Sequence, residues 1–219
     1  SAAEGNNSGS FSKNFNYFIE TSASATKPYT FVLKDATGKI VKELQNNNDL
    51  KAKMDADNFS YREFLTVPNE AGDQMNAWIM KPKNFDKNKK YPLFMFQYSG
   101  PGSQQVANTW DSGNGLWFSH LVQQGYIVAC VDGRGTGYKG AKFKKVTYKN
   151  LGKYEIEDQI AAAKWFGNQS YIDKSRIGIF GWSFGGYMAS LAMTKGADVF
   201  KAGIAVAPVT NWRYYDTVY

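Results

Sequence analysis

Apolar and polar positions alternate in short runs over the first part of the chain. Phe15, Tyr17 and Ile19 alternate with Asn16, Phe18 and Glu20, and Tyr29 to Leu33 is a second β-rich run. The turn Asp35-Ala-Thr-Gly38 leads to a third run at Ile40 to Leu44. Period-2 runs joined by turn residues predict an antiparallel meander. Two or three short strands bury too little to stand alone. The meander therefore reads as the end of a larger all-β unit. The polar stretch Gln45-Asn-Asn-Asn-Asp49 follows as a linker and candidate boundary.

Beyond it the pattern changes. Tyr61 to Val67 and Met75 to Lys81 read as strands, joined as a hairpin across Asn69-Glu-Ala-Gly72. Tyr91 to Tyr98 and Ile127 to Val131 are nearly continuous apolar runs, the signature of strands buried on both faces. Gly115 to Gln124 reads as a helix stopped by Gly125. Glu155 to Phe166 is a stronger helix, with Ile156, Ile160, Ala163 and Phe166 on one face. Arg176 to Phe180 is a strand, Phe184 to Thr194 a helix and Gly203 to Ala207 a strand. This repeated alternation predicts an α/β fold, a mainly parallel sheet covered by helices. No internal repeat of solenoid period is present.

Composition narrows the class. Aromatics make up 16% of the 219 residues, and hydrophobic residues 43%. That excludes a mostly disordered chain. No apolar run approaches the roughly 18 residues that cross a bilayer. The net charge of +7 raises the question of nucleic acid. The lysines are scattered, however, and the cluster Lys87-Asn-Lys89-Lys90 reads as a solvated turn beside Pro82 and Pro92, so no nucleic-acid partner is expected. The single cysteine, Cys130, forms no internal disulfide, and no metal-ligand cluster stands out. The opening residues, Ser1-Ala-Ala-Glu-Gly, carry no charged-then-apolar signal segment.

The chemistry centres on Gly181-Trp-Ser183-Phe-Gly185-Gly-Tyr187. Gly181-x-Ser183-x-Gly185 matches a nucleophile elbow, in which a serine rides a sharp strand-to-helix turn. A β run precedes it and an apolar helix follows, the context the motif requires. Tyr98-Ser-Gly100-Pro-Gly102 lies just past a buried strand, where such folds supply an oxyanion donor; a plain Gly-Pro turn is the alternative. Asp132-Gly-Arg134-Gly135-Thr-Gly137 reads as a structural loop, since it lacks the full phosphate-binding glycine spacing. His120, the only histidine, precedes Ser183, against the order Ser, acid, His of such hydrolases. It reads as a surface or helix-packing residue. Asp216 follows Ser183 too closely to serve as the acid. The triad is therefore expected to be incomplete within these residues.

These segments, with Tyr91-Pro-Leu, Gln97 to Gln104, Gly203 to Trp212 and Tyr214 to Tyr219, resemble the prolyl oligopeptidase family of serine peptidases. The resemblance runs from about Tyr61 to the end, with weaker motifs from Phe11 to Leu44. It implies an α/β-hydrolase fold at residues 49–219, truncated before the catalytic Asp and His. Residues 1–48 would be the last strands of a β-propeller. It also implies Ser183 as nucleophile, with the Tyr98 phenol and the Phe184 N–H as oxyanion donors. Val209, Trp212, Tyr215 and Tyr219 would form a compact pocket for a proline or alanine side chain. The implied activity is release of N-terminal dipeptides after Pro or Ala through an acyl-enzyme, with no cofactor or metal. A homodimer and a periplasmic or extracytoplasmic location in a bacterium belong to the same expectation. The 219 residues alone are expected to be inactive. Three alternatives stay open: another serine hydrolase, such as an acylaminoacyl peptidase or esterase; a non-catalytic interaction protein on a hydrolase scaffold; and a basic nucleic-acid binder, which needs a salt-steep affinity for polynucleotide and which nothing but the net charge encourages.

Overall fold

A computed structural model describes residues 4–111 and 113–216, arranged in two sheets and two compact units. One unit comprises Ser1–Arg62 with Ala107–His120, the other Glu63–Val106 with Leu121–Tyr219.

In the first unit, β1 (Asn6–Phe11), β2 (Tyr17–Ser24), β3 (Lys27–Asp35) and β4 (Ile40–Gln45) pair antiparallel in that order. Pairing with β2 makes β1 a strand, although Asn6-Asn-Ser-Gly-Ser has no apolar alternation. Phe15, expected in a strand, sits instead at φ 58° in the β1–β2 turn, where its N–H donates to Ser12 O. The β3–β4 turn is as expected: Gly38, at φ 87°, donates to Asp35 O. The linker is shorter than its polarity suggests, because Asn48 and Asp49 already open α1 (Asn48–Ala56). Met54 of α1 joins Ala23 and Trp110 in a small core bordered by Tyr29, Phe59 and Tyr61.

The second unit is built on a six-stranded sheet. Its first strands, β5 (Glu63–Pro68) and β6 (Gln74–Met80), form the expected hairpin. Then come β7 (Tyr91–Phe96), β8 (Ile127–Asp132), the short α3 (Ala141–Lys145) and α4 (Tyr154–Gly167), while α2 (Asn114–Gln123), between β7 and β8 in sequence, belongs to the first unit as far as His120. The series closes with β9 (Ile172–Trp182), α5 (Phe184–Lys195), β10 (Ala202–Val206) and a 3-10 turn at Trp212–Tyr214. The strand order is β10-β9-β7-β8-β6-β5. β7 to β10 are mutually parallel, and β6 runs antiparallel to both β5 and β8.

Burial explains the apolar runs. Every residue of β8 is buried, Cys130 included, so it carries no polar alternation. α5 packs on β9 and β10, and α4 packs on α5 and β9. The buried side of α4 is rotated from the expected one. It carries Glu155, Ile156, Asp158, Gln159, Ala162, Ala163 and Phe166, while Ile160 is only half-buried. Three polar residues on that side obscure its period. Lys87, Lys89 and Lys90 lie exposed in a turn.

Candidate active site

Ser183 stands alone between the last residue of β9 and the first of α5. Its backbone is at φ 58°, ψ −116°, roughly the mirror image of extended structure. A non-glycine residue there stores about 1–3 kcal/mol of strain. Two bonds hold it: the Ser183 N–H donates to Val206 O at 2.9 Å, and the Tyr187 N–H donates to Ser183 O at 3.0 Å. The glycines on either side are sterically required. A Cβ on Gly181 would lie 2.2 Å from Gly185 O, and one on Gly185 would lie 2.6 Å from Gln97 O. Strand, turn and helix thus close to backbone contact. Ser183 remains half-buried beside Trp182, which is 60% exposed, so the serine is within reach of solvent.

Just beyond β7, the Tyr98 ring packs against the Phe184 ring, with centroids 6.2 Å apart. A Cβ on Gly100 would lie 2.4 Å from that ring, so only glycine leaves room for it. Below the elbow runs a buried polar chain that the residue pattern did not single out. Gln97 Nε2 donates to Gly185 O at 2.7 Å, and Ser99 Oγ donates to Gln97 Oε1 at 2.9 Å. Gln159 Nε2 donates to Val131 O at 3.0 Å and to Ser99 Oγ at 3.3 Å. A glutamine at the end of an apolar strand was the available signal, because buried amides are kept only when bonded.

The loop after β8 is structural, as its spacing suggested. Arg134 Nη2 meets the buried Asp158 Oδ1 at 2.7 Å and Glu157 Oε2 at 3.2 Å. Its guanidinium also lies over the Tyr154 ring. The Asp132 carboxylate accepts from the N–H groups of Gln105 and Val106. Burial outweighs these bonds and pushes its carboxyl up to about 6. The Gly102 N–H donates to Gly135 O at 2.8 Å, tying the Tyr98 loop to this one.

Past β10, Trp212 packs at 5.6 Å on Phe184, at 5.5 Å on Tyr187 and at 5.6 Å on Tyr215. Sequence reasoning gave Tyr187 no role. Its hydroxyl donates to Leu151 O at 3.3 Å, and burial raises its pKa. Val209 is half-buried in the same segment, and Tyr219 lies outside the described residues. Ser183, Tyr98, Phe184, Trp212 and Tyr215 are therefore joined by backbone adjacency or ring contact. His120 is an exposed residue of α2. Among the described residues, no three His, Cys, Asp or Glu side chains group so as to hold a metal.

Comparison with known proteins meets the same residues. The model of the prolyl oligopeptidase family matches residues 115–219. A crystal structure of Porphyromonas gingivalis dipeptidyl peptidase 4 superposes with a TM-score of 0.94 at 44% identity, covering 100% of this chain. The chain belongs to the prolyl oligopeptidase family. Human prolyl endopeptidase FAP is 38% identical over 96% of the chain, and pig dipeptidyl peptidase 4 is 38% identical over 97%. The superposition extends through the antiparallel first unit, so the family likeness is not confined to the segment around Ser183. The chain spans 27% of the length of each of these two relatives and 31% of the P. gingivalis chain.

Proposed function

We propose that the protein to which these residues belong is a serine exopeptidase that releases N-terminal dipeptides after Pro or Ala. The carrying observation is the strained, accessible Ser183 at the strand–helix turn. Its hydroxyl attacks the scissile carbonyl and forms an acyl-enzyme, which water then hydrolyses. The Tyr98 phenol and the Phe184 N–H at the head of α5 stabilise the oxyanion. Val209, Trp212, Tyr215 and Tyr219 receive the proline or alanine side chain. The Phe184–Tyr187–Trp212–Tyr215 ring cluster supports this role, since a compact aromatic box suits a pyrrolidine ring. The histidine base and its orienting aspartate come from the rest of the protein, as the relatives' greater length allows.

The relatives' names include both dipeptidyl peptidases and a prolyl endopeptidase. Substrates separate the two modes. The full-length protein is expected to cleave Gly-Pro-para-nitroanilide and to spare its N-acylated counterpart. Ser183→Ala is expected to lower kcat about a million-fold. Equal turnover by Ser183→Ala would overturn the assignment, and preference for the blocked substrate would move it to an endopeptidase or acylaminoacyl peptidase.

A further inference from the structure

A second concentration of chemistry lies between Asp132 and Glu155. Residues 133–154 contain Arg134 and six lysines (Lys139, Lys142, Lys144, Lys145, Lys149 and Lys153) and no acid. The stretch carries more cations than Lys87–Lys90, spread over a longer span. Arg134 is neutralised by Asp158 and Glu157. Among the described residues, Lys144, Lys145 and Lys149 form no ion pair. All three line one pocket of about 530 Å³, together with Tyr148, Pro101 and Leu151. That volume falls in the range of ligand sites, and no carboxylate lines it.

Both walls of the pocket are anchored to the serine site. Pro101 lies three residues beyond Tyr98, at most about 11 Å along the chain. Leu151 accepts the Tyr187 hydroxyl, one helical turn after Ser183. An extended peptide advances about 3.3 Å per residue. An extended peptide thus covers a span equal to that from Tyr98 to Pro101 in about three residues. In a dipeptide-releasing enzyme only two residues precede the cut, so a longer reach belongs to the leaving segment.

We infer that this pocket recognises acidic side chains in the leaving segment of the peptide substrate, with Lys144, Lys145 and Lys149 as the specificity-determining cations. The inference rests on the peptidase reading of Ser183. Exposed ion pairs are individually weak, so three together favour an acidic over a neutral segment by about tenfold in kcat/KM, chiefly at low salt.

The test uses the full-length protein with Gly-Pro-Asp-Glu-Glu and Gly-Pro-Asn-Gln-Gln. The ratio of their kcat/KM values is expected to be about ten at ~50 mM NaCl and to approach one at ~500 mM. Combined Lys144→Gln, Lys145→Gln and Lys149→Gln is expected to bring the ratio to about one, and the corresponding three Arg substitutions to keep it. A wild-type ratio of one, or a preference that survives the three Gln substitutions, overturns the inference. Failure of the wild type on Gly-Pro-para-nitroanilide counts against the Ser183 reading instead. In that event, fluorescence anisotropy of the two peptides, labelled, decides the pocket by the same ratio. Lysine-dependent capture of a single-stranded oligonucleotide, without discrimination between the peptides, would make the surface a nucleic-acid site and overturn the inference.

Discussion

Ser183 occupies backbone space suited to glycine, and the surrounding chain holds it there. Ser183→Gly is therefore expected to abolish peptidase activity while raising stability by about 1 kcal/mol, read as a higher Tm of the full-length protein. Ser183→Ala should give no such gain, because alanine meets the same steric conflict. A Tm rise in neither variant would remove strain from the account of this turn. The motif Gly181-x-Ser183-x-Gly185 announced this feature, since its spacing encodes a local backbone requirement. The same legibility does not extend to Gln97, Ser99 and Gln159. Their role depends on β7, β8, α4 and α5 meeting, through bonds between residues 28 to 88 positions apart in sequence.

Between elements, α4 does more than cover the sheet. Its Asp158 anchors the loop after β8 through Arg134, and that loop in turn holds the Tyr98 loop through Gly135. Asp158 is fully buried, so Asp158→Ala leaves a guanidinium without its main partner. Breaking a buried pair from one side costs about 3–5 kcal/mol. The expected readout is a lower Tm together with a raised KM for Gly-Pro-para-nitroanilide, as the Tyr98 loop loosens.

The first turn of α4 also carries a proton-linked term. Glu155 is fully buried and accepts the Gly152 N–H, and burial pushes its carboxyl up to about 7 from an ordinary 4.5. The unfolded chain releases this proton near 4.5 and the folded chain near 7. Stability from this group is thus complete below about 4.5, falls as pH rises to about 7 and stays lost above it. Glu155→Gln removes that loss. Its Tm relative to wild type is expected to rise between pH 5 and pH 8, as checked by melts of the full-length protein. A constant difference would rule the linkage out. The helical period alone missed this buried side of α4, because Glu155, Asp158 and Gln159 count as polar until their partners are known.

For the molecule as a whole, the 219 residues leave apolar surface uncovered. Phe11 is 58% exposed, Ile40 62%, Val41 52% and, on the edge strand β10, Ile204 50%. β10 pairs only with β9 among the described residues, and an open strand edge invites association. Expressed alone, the segment is expected to self-associate in light scattering and to show no turnover of Gly-Pro-para-nitroanilide, having only the exposed His120 as a histidine. A monodisperse, active segment would contradict both expectations. At this scale the chain's own pattern already specified the strand–helix alternation, the hairpin, the buried β8 and the serine turn. Each depends on residues near one another in sequence, through period, turn chemistry and backbone sterics. Only the tertiary structure decided that α1 opens inside a polar stretch, that β1 is a strand and which side of α4 is buried. It also placed three lysines around one pocket beside Pro101. These features arise from contacts between distant segments, whose energies no local window contains.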